Sequence, residues 1–104
     1  MIRCLCFIQE GQVEAGVEAR LAAGIGRIVR ESELGAEPAI AWVVVPRGNG
    51  WTAGEPSSSA VVTLTTPPID QALRIRMLTA LCDLWVEQTG CEVNDVLATV
   101  MPAA

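Results

Sequence analysis

A strand-forming segment, Trp42-Val43-Val44-Val45-Pro46, returns in similar form as Ala98-Thr99-Val100-Met101-Pro102 near the end of the chain. Each segment closes a strand-helix-strand pattern, the first within residues 1–46 and the second within residues 60–102. A β-α-β unit that occurs twice is one supersecondary block used in duplicate. We therefore predict a single α+β domain over residues 1–104, made of two half-units joined by a long hairpin.

Hydrophobic periodicity places the elements inside each half-unit. Apolar runs predict strands at residues 2–8, 39–45, 60–66 and 96–101. Helical spacing of apolar residues predicts a first helix through Val13, Val17, Leu21, Ile25 and Ile28, and a second through Leu73, Met77, Leu81, Leu84 and Trp85. Residues 39–45 show no alternation, which is typical of a strand covered on both faces.

This order of elements fits two architectures. In the first, the two strands of each half-unit lie side by side in parallel, and a pseudo-twofold axis relates the half-units. In the second, which is ferredoxin-like, the half-units interleave and the sheet is antiparallel. Periodicity alone does not choose between them.

Composition restricts the function classes. The chain is 51% hydrophobic and 18% charged, an apolar excess for 104 residues that predicts burial between subunits. A net charge of -5, with no lysine and no run of arginines, argues against nucleic-acid binding. No apolar stretch reaches the roughly 18 residues that span a bilayer. We expect a cytoplasmic protein with reduced cysteines, no membrane contact and no cofactor.

Residues 42–56 resemble the middle of the tautomerase superfamily, above all its macrophage migration inhibitory factor and cis-3-chloroacrylic acid dehalogenase branches. Those proteins also run from a strand ending in Val-Pro or a similar pair through a Gly-Asn turn to an aromatic residue and a glycine. The corresponding residues here are Val45-Pro46, Gly48-Asn49, Trp51 and Gly54. The second helix and residues 90–96 continue the resemblance, which covers most of the chain after Ala39.

The resemblance implies the first architecture, with parallel-paired strands, helices on one face, and three subunits forming a barrel around a central channel. A homotrimer would also account for the apolar excess. It implies a pocket for a small acid at the start of the first strand, near the subunit boundaries. The catalytic group of the family is an amino-terminal proline, whose pKa is lowered in an apolar pocket because burial disfavours the charged amine.

The chain departs from the family at this group, because residue 2 is Ile2 and not proline. A bulky residue at this position discourages removal of Met1. We therefore expect Met1 to be retained and its amine to be the candidate catalytic group, since a primary α-amine has an unperturbed pKa of about 7.7–8.0. The lysine that the cytokine branch places after the first helix falls near Gly35, which leaves no cation there.

Other pocket positions follow from the same resemblance. Thr66 and Pro67 match the segment whose backbone lines the family's pocket, and the tyrosine and asparagine of its last strand fall at Leu97 and Thr99. Arg3, a charge in an apolar strand, either faces the channel or lies in water at the strand end. The predicted substrate-binding residues are Ile2, Arg3, Thr66, Pro67, Leu97 and Thr99.

No metal site is predicted. Cys4 and Cys6 share one face of the first strand, and Cys-x-Cys can bind a soft metal, but the chain has no histidine to complete a site. We interpret both as core residues. Trp51 is interpreted as an interface anchor, and Glu37 is a weaker candidate for an acid or base.

Two functions remain open. The chain is either an isomerase, tautomerase or lyase that uses the Met1 amine on a small enol or unsaturated acid, or a binding or structural subunit that keeps the fold without the proline chemistry. The missing proline, lysine and tyrosine favour the second, because a fold alone does not confer an activity.

Overall fold

A computed structural model describes residues 1–103. The elements run in the order β1 (Ile2–Gln9), α1 (Val17–Glu31), β2 (Pro38–Val45), β3 (Trp51–Thr52), β4 (Glu55–Pro56), β5 (Ala60–Thr66), α2 (Gln71–Thr89), a 3-10 turn (Val93–Asp95) and β6 (Val96–Pro102). The strands agree with the predicted ones to within a residue at each end. Helix α1 begins later than its periodicity predicts, because Gly16 takes a left-handed φ of 89° just before it. The short strands β3 and β4, which pair within the predicted long hairpin, were not themselves predicted.

The main sheet has the order β2-β1-β5-β6. Strands β1 and β2 are parallel, β5 and β6 are parallel, and the two half-units meet along the antiparallel pair of β1 and β5. Each half-unit therefore pairs its own strands, as the resemblance implied. The interleaved, ferredoxin-like arrangement is not adopted.

The register of the strands reveals a pseudo-twofold axis. Ile2 pairs with Pro38, and Ala60 pairs with Val96, so both half-units pair residues that are 36 positions apart. Leu5 lies opposite Thr63, its own counterpart 58 positions later, so the axis passes between these two residues. Each site on the first half-unit therefore has a positional counterpart on the second, at the opposite end of the sheet.

Both helices cover the same face of the sheet, which we call the inner face. Alternate residues of β1 point into it, and β5 alternates in the same way. The fully buried side chains with the largest volumes are Trp85, Ile2, Leu21, Ile25, Leu64, Met77 and Leu81. The Trp85 ring packs against Trp42 of β2 with ring centroids 6.2 Å apart. Among residues 1–103, no helix covers the outer face, and side chains such as Arg3, Leu5 and Val43 are exposed on it.

The exposed outer face corrects one expectation. The missing alternation in residues 39–45 predicted cover on both faces, but Ala39, Ala41 and Val43 are exposed in the single chain. Their apolar character still needs an explanation. A strand whose outward side chains are apolar is suited to a face that another subunit covers.

Helices α1 and α2 cross at Gly24. A Cβ built on this glycine would overlap the methyl carbons of Leu84, which is 4% exposed. At Gly24 the close contact is therefore with the other helix and not with the sheet. Helix α2 is capped at both ends, by the Asp70 carboxylate accepting from Leu73 N at 2.8 Å and by Gly90 at φ 72°.

Gly24→Ala is expected to lower the free energy of unfolding by about 1–3 kcal/mol, because the well-packed Leu84 leaves no room for a methyl group. In a Leu84→Ala background the same change is expected to raise it by about 1 kcal/mol, since alanine favours a helix over glycine. Denaturant unfolding of the four proteins measures both effects. Equal effects in the two backgrounds would contradict the proposed contact.

Candidate amino-terminal site

The start of β1 lies between two other chain segments at one end of the sheet. Arg3 pairs with Thr65, so the chain at Thr66 and Pro67 runs alongside Ile2 and Met1. On the other side of β1, Ile2 pairs with Pro38. The predicted residues Met1, Ile2, Arg3, Thr66 and Pro67 are therefore brought together.

Within this cluster, Ile2 and Met1 have opposite environments. Ile2 is 1% exposed and belongs to the core, so its side chain lines no pocket in the single chain. Met1 is 84% exposed. Arg3 is exposed on the outer face, where its Nε donates to Met1 Sδ at 3.4 Å. Met1 and Arg3 are thus both exposed at this end of the sheet.

Thr66 and Pro67 form the opposite side of this end. Thr66 is 1% exposed, and its Oγ1 donates to Pro67 O at 2.8 Å. The hydrogen bond fixes the turn that leads into α2, and Pro67 itself is exposed. This segment therefore places backbone groups beside Met1.

Leu97 and Thr99 do not join this cluster within one chain. Leu97 pairs with Val61 and Thr99 with Thr63, whereas the sheet end is at Thr66. Five strand positions separate Val61 from Thr66, which is about 17 Å. Only a second copy of the chain can therefore bring Leu97 to Met1.

Thr99 has an unusual polar atom. Its Oγ1 is buried and has no hydrogen-bond partner among residues 1–103. Buried hydroxyl groups are nearly always paired.

The sequence match left no cation near Gly35, but the structure places one in the same cavity. A cavity of about 490 Å³ is lined by Arg30, Glu33, Gly35, Ala36 and Glu37. Arg30 Nη1 lies 3.3 Å from Glu37 Oε2, in an ion pair whose two side chains are more than half exposed. The guanidinium comes from the last turn of α1 and lies against Gly26. A position-by-position match therefore does not show that it lines the same cavity as Gly35.

The ion pair lies on the same side of the molecule as Met1. Glu37 directly precedes Pro38, which pairs with Ile2, so the backbone of Glu37 runs beside that of Met1. Adjacent strands are about 4.8 Å apart. The backbone of Glu37 is therefore adjacent to that of Met1, while the Arg30 and Glu37 side chains lie against Gly26 of α1.

Solved structures share this architecture. The protein Ps01740 superposes with a TM-score of 0.90 at 23% identity, over 97% of this chain and 93% of its own. A fused 4-OT solved as a symmetric trimer gives 0.85 at 17% identity, over 97% and 85%. A macrophage migration inhibitory factor-like protein from Entamoeba histolytica gives 0.78 at 14% identity, over 99% and 89%.

The chain has the tautomerase-superfamily fold. The fold that the resemblance implied is thereby confirmed. No protein-family model and no curated protein matches the sequence.

On this tautomerase-superfamily fold, Cys4 and Cys6 are core residues, 1% and 0% exposed. Their sulfur atoms are 3.7 Å apart. The hydrogen bond between them lowers the pKa of the Cys4 thiol and raises that of Cys6, and burial raises that of Cys6 further. Across residues 1–103, no three His, Cys, Asp or Glu side chains gather as metal ligands would. Neither helix in that range is long and apolar enough to cross a membrane.

Proposed function

We propose that the protein is a tautomerase-superfamily member that assembles as a homotrimer and binds a small carboxylic acid at its amino-terminal site, without proline-dependent proton transfer. The observation that carries the proposal is Ile2. It stands where the family has its secondary amine, and its side chain is buried in the core. A retained Met1 would further displace the terminal amine by one residue.

The homotrimer is supported by the outer face of the sheet. The strand register aligns Val43, Phe7, Val61 and Leu97 in one apolar row across all four strands. A second row joins Ala41, Leu5, Thr63 and Thr99. Leu5, Val43 and Leu97 are 37%, 39% and 58% exposed. An apolar patch this extended on a small protein is typical of an interface.

A small acid as ligand is supported by the cations near the amino terminus. Arg30 lines the cavity beside Glu37, and Arg3 is exposed next to Met1. A guanidinium binds a carboxylate through two parallel hydrogen bonds. A ligand carboxylate would displace Glu37 from Arg30, which costs little because exposed ion pairs contribute little to stability.

The alternative is an enzyme that uses the Met1 amine as its base. It requires an apolar pocket around the terminus, since burial is what converts an amine into a base near neutral pH. Met1 is 84% exposed in the single chain, so such a pocket would depend on a neighbouring subunit. Ile2 in place of the family's secondary amine favours the binding function.

Phenylpyruvate enol-keto conversion tests the proposal. The wild-type protein is expected not to accelerate it above the buffer rate, because no secondary amine is present. Ile2→Pro is expected to introduce turnover once intact mass shows that Met1 has been removed. Ile2→Ala is the matched control, because it also permits Met1 removal but leaves a primary amine, and it is expected to stay inactive.

Two outcomes would contradict the proposal. Wild-type turnover that disappears when the terminal amine is blocked would establish the enzyme hypothesis instead. A folded Ile2→Pro protein that starts at proline and shows no turnover would overturn the proposed acid-binding pocket.

A further inference from the structure

The pseudo-twofold axis relates the amino-terminal site to a second region at the opposite end of the sheet. Counting 58 positions along the chain, the counterpart of Met1 is Ser59 and the counterpart of Glu37 is Asp95. Ser59 is an internal residue, so it has no free amine. The protein nevertheless has an open groove at this end, with a volume of about 460 Å³.

The groove is lined by four chain segments, two of which are connected by side-chain hydrogen bonds. Gln12 Nε2 donates to Ser58 O at 2.6 Å, and Gln12 Oε1 accepts from Gln9 N at 3.3 Å. Gln9 Nε2 donates to Ser59 O at 3.3 Å. These bonds connect the turn after β1 to the segment before β5. The groove is therefore pre-formed, and its volume lies within the usual range for small-molecule sites.

Arg47 supplies the positive charge of the groove. Its backbone N–H donates to Glu10 Oε1 at 2.9 Å, which fixes the start of the loop after β2. Its Nη2 lies 2.6 Å from the position that a Cβ on Gly11 would occupy. The guanidinium therefore packs against this turn, where any residue larger than glycine would collide with it. No carboxylate within the described chain lies within 4.0 Å of this guanidinium.

Negative charge lines the same groove. Glu10 and Asp95 both contribute to its wall, and the half-buried Cys91 lies between the end of α2 and Asp95. The two carboxylates disfavour a ligand with two negative charges. They also provide acceptors for a ligand that carries hydrogen-bond donors.

We propose that this groove is a second ligand site, which binds a small monocarboxylate bearing a hydroxyl or amino group. The ligand carboxylate pairs with the Arg47 guanidinium, and its hydroxyl or ammonium donates to Glu10 or Asp95. The site needs neither the Met1 amine nor the family's proline chemistry. It is independent of the function proposed above.

An NMR titration of the full-length protein with lactate at constant ionic strength tests this site. The amides of Gly11, Gly48 and Cys91 are expected to shift in a saturable manner, and Arg47→Ala is expected to raise the Kd about tenfold or more. Arg27→Ala, which removes an exposed guanidinium outside the groove, is the matched control and is expected to leave the Kd unchanged. Acetate, which lacks the donor, is expected to bind more weakly than lactate.

Several results would contradict the proposed second site. Saturable shifts at Ile2, Arg3 and Thr66 instead of the groove amides would mean that the acid binds at the amino-terminal site, and would overturn the second site. The same conclusion follows if no amide of the groove saturates, or if folded Arg47→Ala binds lactate as the wild type does. Equal affinity for acetate and lactate would remove the role of Glu10 and Asp95.

Discussion

Leu5→Asp is expected to convert the proposed trimer into single chains, which light scattering would record as a fall from three times 11.0 kDa to 11.0 kDa. Leu5 lies at the centre of the outer face, opposite Thr63 on the pseudo-twofold axis. A trimer would bury three such carboxylates without partners. Burial of an unpaired charge costs several kcal/mol, so the interface would not survive.

A matched control for this change is Ile75→Asp. Ile75 is 54% exposed on α2, on the helical layer rather than the outer face of the sheet. The Ile75→Asp substitution introduces the same charge at an exposed apolar position, and the mass of the proposed trimer is expected to persist. A wild-type protein that runs as a single chain at micromolar concentration would contradict the trimer itself. Dissociation by both variants would deny the outer face its specific role.

Trp85→Ala is expected to lower the free energy of unfolding by about 3–5 kcal/mol. Trp85 is 0% exposed and packs on Trp42, so its removal leaves a large cavity between α2 and the sheet. Small domains have a total stability of only about 5–15 kcal/mol, so this change removes a large part of it. Denaturant unfolding at fixed protein concentration measures the loss, since assembly makes stability depend on concentration.

One further variant separates packing from hydrogen bonding at this position, and a second serves as a control at an exposed site. Trp85 Nε1 is buried without a partner in the described part of the chain. Trp85→Phe is therefore expected to cost less than Trp85→Ala, because it keeps most of the ring contacts and removes an unsatisfied donor. Ile75→Ala, at an exposed site, is expected to stay within about 0.5 kcal/mol of the wild type. A loss below about 1 kcal/mol for Trp85→Ala would contradict its place in the core.

The candidate site shows where inference from sequence stops. Thr66 and Pro67 were placed beside Met1 by matching positions to a family, and the strand register brings them there. Arg30 was missed because it approaches the loop from a helix and not from the loop itself. Leu97 was placed with Met1 by the same matching, yet the single chain holds it at the far end of the sheet.

The sequence by itself determined the elements and their duplication. Local signals set the limits of β5 at Ala60–Thr66, because these depend on residues close along the chain. Only the tertiary structure decided which strands pair, that Gly24 lies against Leu84, and that the outer face is left open. Both candidate architectures bury the same apolar residues, so hydrophobic pattern cannot separate them. The difference lies in contacts between residues far apart in sequence.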